Sequence, residues 1–155
     1  MPSVYVDYAH TPDALAKALD TVRETKPQSL AVVFGCGGDR DRSKRPVMGK
    51  IAADRADRIY VTSDNPRSES PESIVAEIAN GFATAATRKC IVLRREAIRT
   101  AITEASASDA VLIAGKGHEN YQEIAGVRHP FSDVAEAQIA LVQRASKREE
   151  SRHVV

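Results

Sequence analysis

The run Leu30-Ala31-Val32-Val33-Phe34, apolar at every position and stopped by Gly35, constrains this chain more than any other feature. A surface helix keeps a polar face and a half-exposed strand alternates. Five consecutive apolar residues closed by glycine fit a strand covered on both sides, as in a parallel sheet between helical layers. The same rhythm recurs along the chain. Ser3 to Val6 is a short β-prone run ending at Asp7, after which Thr11-Pro12-Asp13 offers an N-cap, a proline at the first helical position and an acid in the first turn. Leu15, Ala18, Leu19 and Val22 then follow at helical spacing.

Further units continue the pattern. Pro46 is expected to open a helix through about Ala56, with Val47, Met48 and Ile51 available for packing. Ile59 to Val61 reads as the third strand, and Ser70-Pro71-Glu72 begins a helix carrying Ile74, Ile78 and Phe82 on one side. The fourth strand is expected at Ile91 to Leu93, followed by a helix around Glu96 to Glu104 that presents Ile98 and Ile102. Val111 to Ala114 is the fifth. Tyr121 to Ile124 and Val127 to His129 form a small hairpin about Ala125-Gly126, and a last helix starts near Ser132-Asp133 with Val134, Ala137, Ile139 and Leu141. The expected class is α/β, a Rossmann-like, mainly parallel sheet with helices on both faces.

A chain of 155 residues with 43% apolar composition fits one domain with one core, and leaves no room for a second catalytic domain. Residues 1–145 are expected to form that domain, and 146–155 a charged, mobile tail. Lys and Arg number 22 against 21 Asp and Glu, a formal charge of +1, which argues against a nucleic-acid partner. Arg40 to Arg45 is the most basic stretch, yet Asp41 interrupts it and glycines precede it, so a local anion site explains it better than a duplex footprint. Cys36 and Cys90 have neither metal-knuckle nor redox spacing and suggest a reducing compartment. With no signal-like or membrane-spanning run, the cytoplasm is the expected location.

In an open α/β sheet, ligand groups gather beyond the carboxyl ends of the strands. Four loops fall there: Asp7 to Thr11, Gly35 to Arg45, Ser63 to Arg67 and Gly115 to Asn120. Asp7 can accept from ribose hydroxyls and His10 can orient a phosphate, although both can equally satisfy loop amides. Gly35-Cys36-Gly37-Gly38 permits a tight backbone path with exposed amides beside Arg40, Arg42, Lys44 and Arg45, without matching a dinucleotide fingerprint or a phosphate loop. A solvated surface turn is the alternative. Asn65 and Arg67, separated by Pro66, can grip a carboxylate, and Glu119 in Gly115-Lys116-Gly117-His118-Glu119 can pair with an ammonium or simply hold its loop together. No spacing among His10, His118 and Glu119 supports a metal site, and no triad places a Ser or Cys nucleophile. Arg40, Asn65, Arg67 and Glu119 together suit a zwitterion with an additional charged end, but residue chemistry alone leaves an amino acid and a phosphometabolite as equal guests.

Four segments, Asp7-Tyr8-Ala9-His10-Thr11-Pro12-Asp13, Gly35-Cys36-Gly37-Gly38-Asp39-Arg40-Asp41, Asp64-Asn65-Pro66-Arg67 and Gly115-Lys116-Gly117-His118-Glu119, occur in the order found in the C-terminal domain of the bacterial Mur ligases, which the chain resembles over about residues 4 to 143. The resemblance implies a Mur ligase amino-acid-binding domain from the diaminopimelate-adding branch, working in peptidoglycan synthesis. ATP converts a carboxylate of a UDP-N-acetylmuramoyl-dipeptide to an acyl phosphate, and the incoming amine expels phosphate. It further implies that Arg40, Asn65 and Arg67 bind a carboxylate of meso-diaminopimelate, that Gly115 and Glu119 hold its distal amino-acid centre, and that Asp7 and His10 face the nucleotide side. No catalytic residue and no metal ligand is expected in this chain. The family's Gly-Lys-Thr phosphate loop, magnesium carboxylates, modified lysine, UDP-binding domain and the Gly-Arg segment ahead of the first strand are not found in the sequence. ATP and magnesium are therefore expected to be bound mainly by the N-terminal and central domains of an intact ligase, and this chain alone to be inactive. The alternatives are an independent phosphometabolite-binding regulatory domain and a scaffolding α/β module.

Overall fold

A computed structural model describes residues 1–83 and 87–154. Five strands form one parallel sheet in the order β1-β5-β2-β3-β4, with β1 at Ser3–Asp7, β2 at Leu30–Phe34, β3 at Arg58–Val61, β4 at Arg88–Cys90 and β5 at Ala110–Ala114. The helices between them are α1 (Pro12–Arg23), α2 (Lys44–Arg55), α3 (Pro71–Ala79) and α4 (Arg94–Glu104); after β5 come an antiparallel hairpin, β6 (Tyr121–Ile124) and β7 (Val127–Pro130), and then α5 (Asp133–His153). The side-chain oxygens of Thr11, Ser70 and Ser132 accept from the backbone N–H groups of Ala14, Ser73 and Ala135, so α1, α3 and α5 start where their capping residues stand.

The two central strands divide their side chains between two cores by simple alternation. Leu30, Val32 and Phe34 of β2, with Leu112 of β5, pack under α1, α2 and α3; Ala31 and Val33, with Val111 and Ile113, pack under α4 and α5. Each is almost wholly buried, and a fully buried side chain of Phe34's size contributes about 1.5–3 kcal/mol. This double burial is why both strands read as unbroken apolar runs.

Several elements depart from the expected positions. The fourth strand is Arg88–Cys90 rather than Ile91 to Leu93, because β4 lies at the sheet edge, where charged side chains replace an apolar run. Ile91 still donates its N–H to the carbonyl of Val61 at 2.9 Å, while Leu93 is the exposed N-cap position of α4. Helix α2 begins at Lys44 and buries Arg45, Met48, Gly49 and Ala52, one face at three- and four-residue spacing, which leaves Val47 exposed. Helix α3 ends at Ala79, and Phe82 packs against the core from beyond it. In α5 the buried face is Ala137, Ala140 and Arg144, so Ile139 points outward. Within the segment expected to be a charged tail, α5 runs on as helix to His153, and residues 146–154 are exposed. No helix among the described residues is long and apolar enough to cross a membrane.

Candidate functional site

All four strand-end loops meet around one cavity of about 370 Å³. Its lining includes Arg40, Asn65, Arg67, Gly115 and Glu119, five residues drawn from three loops, together with His10 and Lys44. Parallel strands ending on the same side put these loops on one rim. What brings the rims into contact is the backbone itself. A Cβ at Gly38 would sit 1.9 Å from the carbonyl oxygen of Pro66, and the Gly38 N–H donates to the carbonyl of Asn65 at 2.8 Å. Glycine is needed there for loop-to-loop approach, so this amide, expected to cradle a ligand, is already used inside the protein. Gly115 has a φ of +116°, and a Cβ there would come within 2.6 Å of an Asp64 carboxylate oxygen.

Asn65 is buried, and its side-chain oxygen accepts two bonds, from Lys116 Nζ at 2.8 Å and from the Glu123 N–H at 2.9 Å. Both partners are donors, so they fix the amide orientation; the nitrogen is the group left for a guest. Arg67 has a left-handed backbone, φ +52°, held by its N–H to the Glu123 carbonyl at 3.0 Å and by Ala125 N–H to its own carbonyl at 2.8 Å. Its guanidinium donates to the Gly38 carbonyl at 2.9 Å and lies 3.5 Å from the Glu123 carboxylate. The β6–β7 hairpin, legible as a hairpin but not as a neighbour of this loop, is thus the brace that aims Arg67. Arg40 is exposed, and among the described residues it bonds only the adjacent Asp39 carbonyl, at 2.9 Å. Glu119 is partly buried, with an oxygen 3.9 Å from Lys116 Nζ.

The two residues assigned to a nucleotide side behave differently. His10 lines the cavity, with its Nδ1 2.9 Å from the Tyr8 carbonyl and its ring edge-on to Tyr8 at 4.7 Å. Asp7 is not among the lining residues, and its carboxylate accepts from Ala9 N–H at 2.7 Å, the loop-bracing alternative weighed for it. Cys36 also borders the cavity, but burial pushes its thiol up to about 12, so it is an inert packing group against Met48. Among the described residues no group of three or more His, Cys, Asp or Glu side chains could hold a metal ion.

Three cations whose burial sequence reasoning did not foresee hold the rim in place, among them Arg45, expected there as charge for a ligand. Arg94 has no exposed surface; it donates to both carboxylate oxygens of Asp133, at 2.8 and 2.7 Å, and to the carbonyls of Ser63 and Ala114, at 3.1 and 3.0 Å. It therefore ties the end of β3 to the end of β5. Burial opposes its charge, but the attraction and hydrogen bonds of Asp133 outweigh that and raise its pKa. Arg45, also fully buried, binds the Gly37 carbonyl at 3.0 Å and the carboxylates of Glu69 and Glu77, each at 2.7 Å. Lys116 is the third. Their sequence signal is charge alone, inside ligand-like loops for Arg45 and Lys116 and at a helix start for Arg94, and charge does not distinguish a buried clamp from a solvated side chain.

A family model described as Mur ligase, glutamate ligase domain, matches residues 2–117. The UDP-N-acetylmuramoyl-L-alanyl-D-glutamate–2,6-diaminopimelate ligase of Ectopseudomonas mendocina is 55% identical over 140 residues, covering 90% of this chain and 29% of that protein. The ligase of the same name from Pseudomonas aeruginosa is 54% identical over the same shares. A solved structure of a ligase with this name superposes with a TM-score of 0.88 at 51% identity, over 92% of this chain and 29% of that one. The chain thus spans under a third of the length of these relatives. With the family model matching most of its length, and with the parallel sheet and loop rim in place, the chain belongs to the Mur ligase, glutamate ligase domain family.

Proposed function

We propose that this chain is the amine-recognising domain of a ligase that adds meso-diaminopimelate to UDP-N-acetylmuramoyl-L-alanyl-D-glutamate in peptidoglycan synthesis. The observation that carries the proposal is the convergence of Arg40, Asn65, Arg67, Gly115 and Glu119 on one cavity. That set offers guanidinium and amide donors to a carboxylate, and an acceptor to an ammonium. Diaminopimelate has both groups at its far end; lysine lacks the carboxylate there. Lysine would leave Arg67 and Asn65 without a guest acceptor in a partly desolvated site, which is the physical basis for rejecting it.

In the proposed reaction the carboxylate of the nucleotide-linked dipeptide is first phosphorylated by ATP. The lone pair of the diaminopimelate amine then attacks the acyl carbon, a C–N bond forms, the C–O bond to phosphate breaks with inorganic phosphate leaving, and the nitrogen gives up one proton to water. This chain's task is to hold the far end of the amino acid so that the amine faces the acyl carbon at attacking distance. His10 faces the nucleotide side, and Asp7 serves it through the turn it braces. Among the described residues no carboxylate cluster fits a magnesium site; in this reading the metal and most of the nucleotide contacts belong to the part of the relatives outside this span, and the chain alone does not ligate.

The test is made in the full-length ligase. Arg67→Ala is expected to raise KM for diaminopimelate by about 10- to 150-fold, the range for losing a charge-assisted hydrogen bond of roughly 1.5–3 kcal/mol, with little change in melting temperature. Equal kinetics for mutant and parent would overturn the assignment.

A further inference from the structure

The geometry points to Lys116 as a positioning residue that fixes which atom of Asn65 the cavity presents, and so helps to set the site's preference for a carboxylate. This rests on the functional reading above. Lys116 lies between Gly115, at φ +116°, and Gly117, at φ +53°, a backbone reversal that turns its side chain into the protein. It has no exposed surface. Burial pulls its ammonium below the ordinary lysine range while Asp64 opposes the shift.

The partners are unequal. Nζ is 3.5 Å from the Asp64 carboxylate and 3.9 Å from that of Glu119, 5.7 Å from the centre of the Tyr121 ring, but 2.8 Å from the side-chain oxygen of Asn65. The shortest bond of a buried ammonium therefore goes to a neutral amide rather than to either carboxylate. That same oxygen takes the Glu123 N–H at 2.9 Å. Reversing the amide would set its NH2 group against two donors, so Lys116 and the β6 backbone hold one orientation. In it, Asn65 offers hydrogen-bond donors to a guest and withholds its acceptor. A site that presents N–H groups from Asn65 beside the guanidinium of Arg67 favours a carboxylate over a neutral or cationic end.

The experiment compares Lys116→Met, Asn65→Ala and the double variant in the full-length ligase, reading KM and kcat for diaminopimelate. Lys116→Met is expected to raise KM about tenfold, as for one weakened hydrogen bond to a charged group, with kcat within about twofold. In the Asn65→Ala background it should have no further effect on KM, because the residue it acts through is gone. An unchanged KM, or a double variant whose KM shows the product of the two single effects, would overturn the inference; a fall in kcat and melting temperature at unchanged KM would assign Lys116 a purely structural role. Should Lys116→Met fail to fold, Lys116→Gln decides, since it keeps an N–H donor without the charge: KM within about threefold of the parent supports positioning, and about a tenfold rise rejects it. If the unmutated ligase does not join diaminopimelate at all, the functional reading fails first, and that result is distinct from all of these.

Discussion

The cations around the cavity fall into two groups that differ in what they touch. Arg45, Arg94 and Lys116 are wholly buried, and each binds carbonyl or amide oxygens of the cavity loops while a carboxylate lies nearby. Arg40 and Lys44 stand at the cavity with one backbone carbonyl each, at 2.9 and 3.0 Å. Arg67 joins the groups, tied to Gly38 and Glu123 yet still lining the cavity. The contrast separates two uses of the same chemistry. A buried charge is costly unless fully partnered, so it persists where its partners are the backbone that must be held. An exposed charge holds little in place and stays available to a ligand.

The sharpest way to break this division is to remove Arg94. Arg94→Ala leaves Asp133 buried without its partner and frees the carbonyls at the ends of β3 and β5. The expected loss is about 3–5 kcal/mol in urea unfolding, with partial recovery when Asp133→Ala is added. A loss below about 1 kcal/mol, the scale of an exposed pair, would put Arg94 with the surface cations and end the distinction.

The same division decides what could be read from the sequence. Strands β2 and β5 were legible because burial on both faces demands an unbroken apolar run, whereas β4, three exposed residues that include Arg88 and Lys89, carries no β-prone run such as the one that marks the other edge strand, β1. The rim was legible because strand ends in a parallel sheet point one way, which puts the loops carrying Arg40, Asn65, Arg67, Gly115 and Glu119 on one side, while the choice of those residues within the loops leaned on the family resemblance. The clamps were not. Arg94 begins a helix in the charged segment Arg94-Arg95-Glu96, and only Asp133, thirty-nine residues away, makes its burial tolerable. The glycines of 35–38 were legible as a tight path, but their use in approaching Pro66 and Asn65 depends on where a second loop lies.

A smaller effect tests the Arg45 clamp through pH. Glu69 accepts from Arg45 and from the Asp39 N–H, which lowers its carboxyl from an ordinary 4.5 to about 2. A carboxylate with a depressed folded-state pKa adds stability that is complete above the unfolded value and disappears as pH falls through the folded one. The melting temperature of the parent should therefore exceed that of Glu69→Gln above about pH 5, and the gap should close between about pH 4.5 and 2. A gap independent of pH across that window would mean that Glu69 acts through its shape and not through its charge.

The smallest expected effect lies at Arg40, and there a near-zero result carries the information. Its guanidinium is exposed and, among the described residues, bonds only its neighbour's carbonyl, so Arg40→Ala should change unfolding free energy by no more than about 0.5 kcal/mol, the usual range for a surface substitution. The same variant in the full-length ligase should raise KM for diaminopimelate, since it removes a donor from the cavity rim without moving the rim. Stability and binding would then separate at Arg40, whereas at Arg94 a displaced rim should lower both. A destabilisation at Arg40 approaching that at Arg94 would show that the glycine-rich loop needs this exposed charge to fold, and the assignment of recognition to exposed cations and of architecture to buried ones would not survive it.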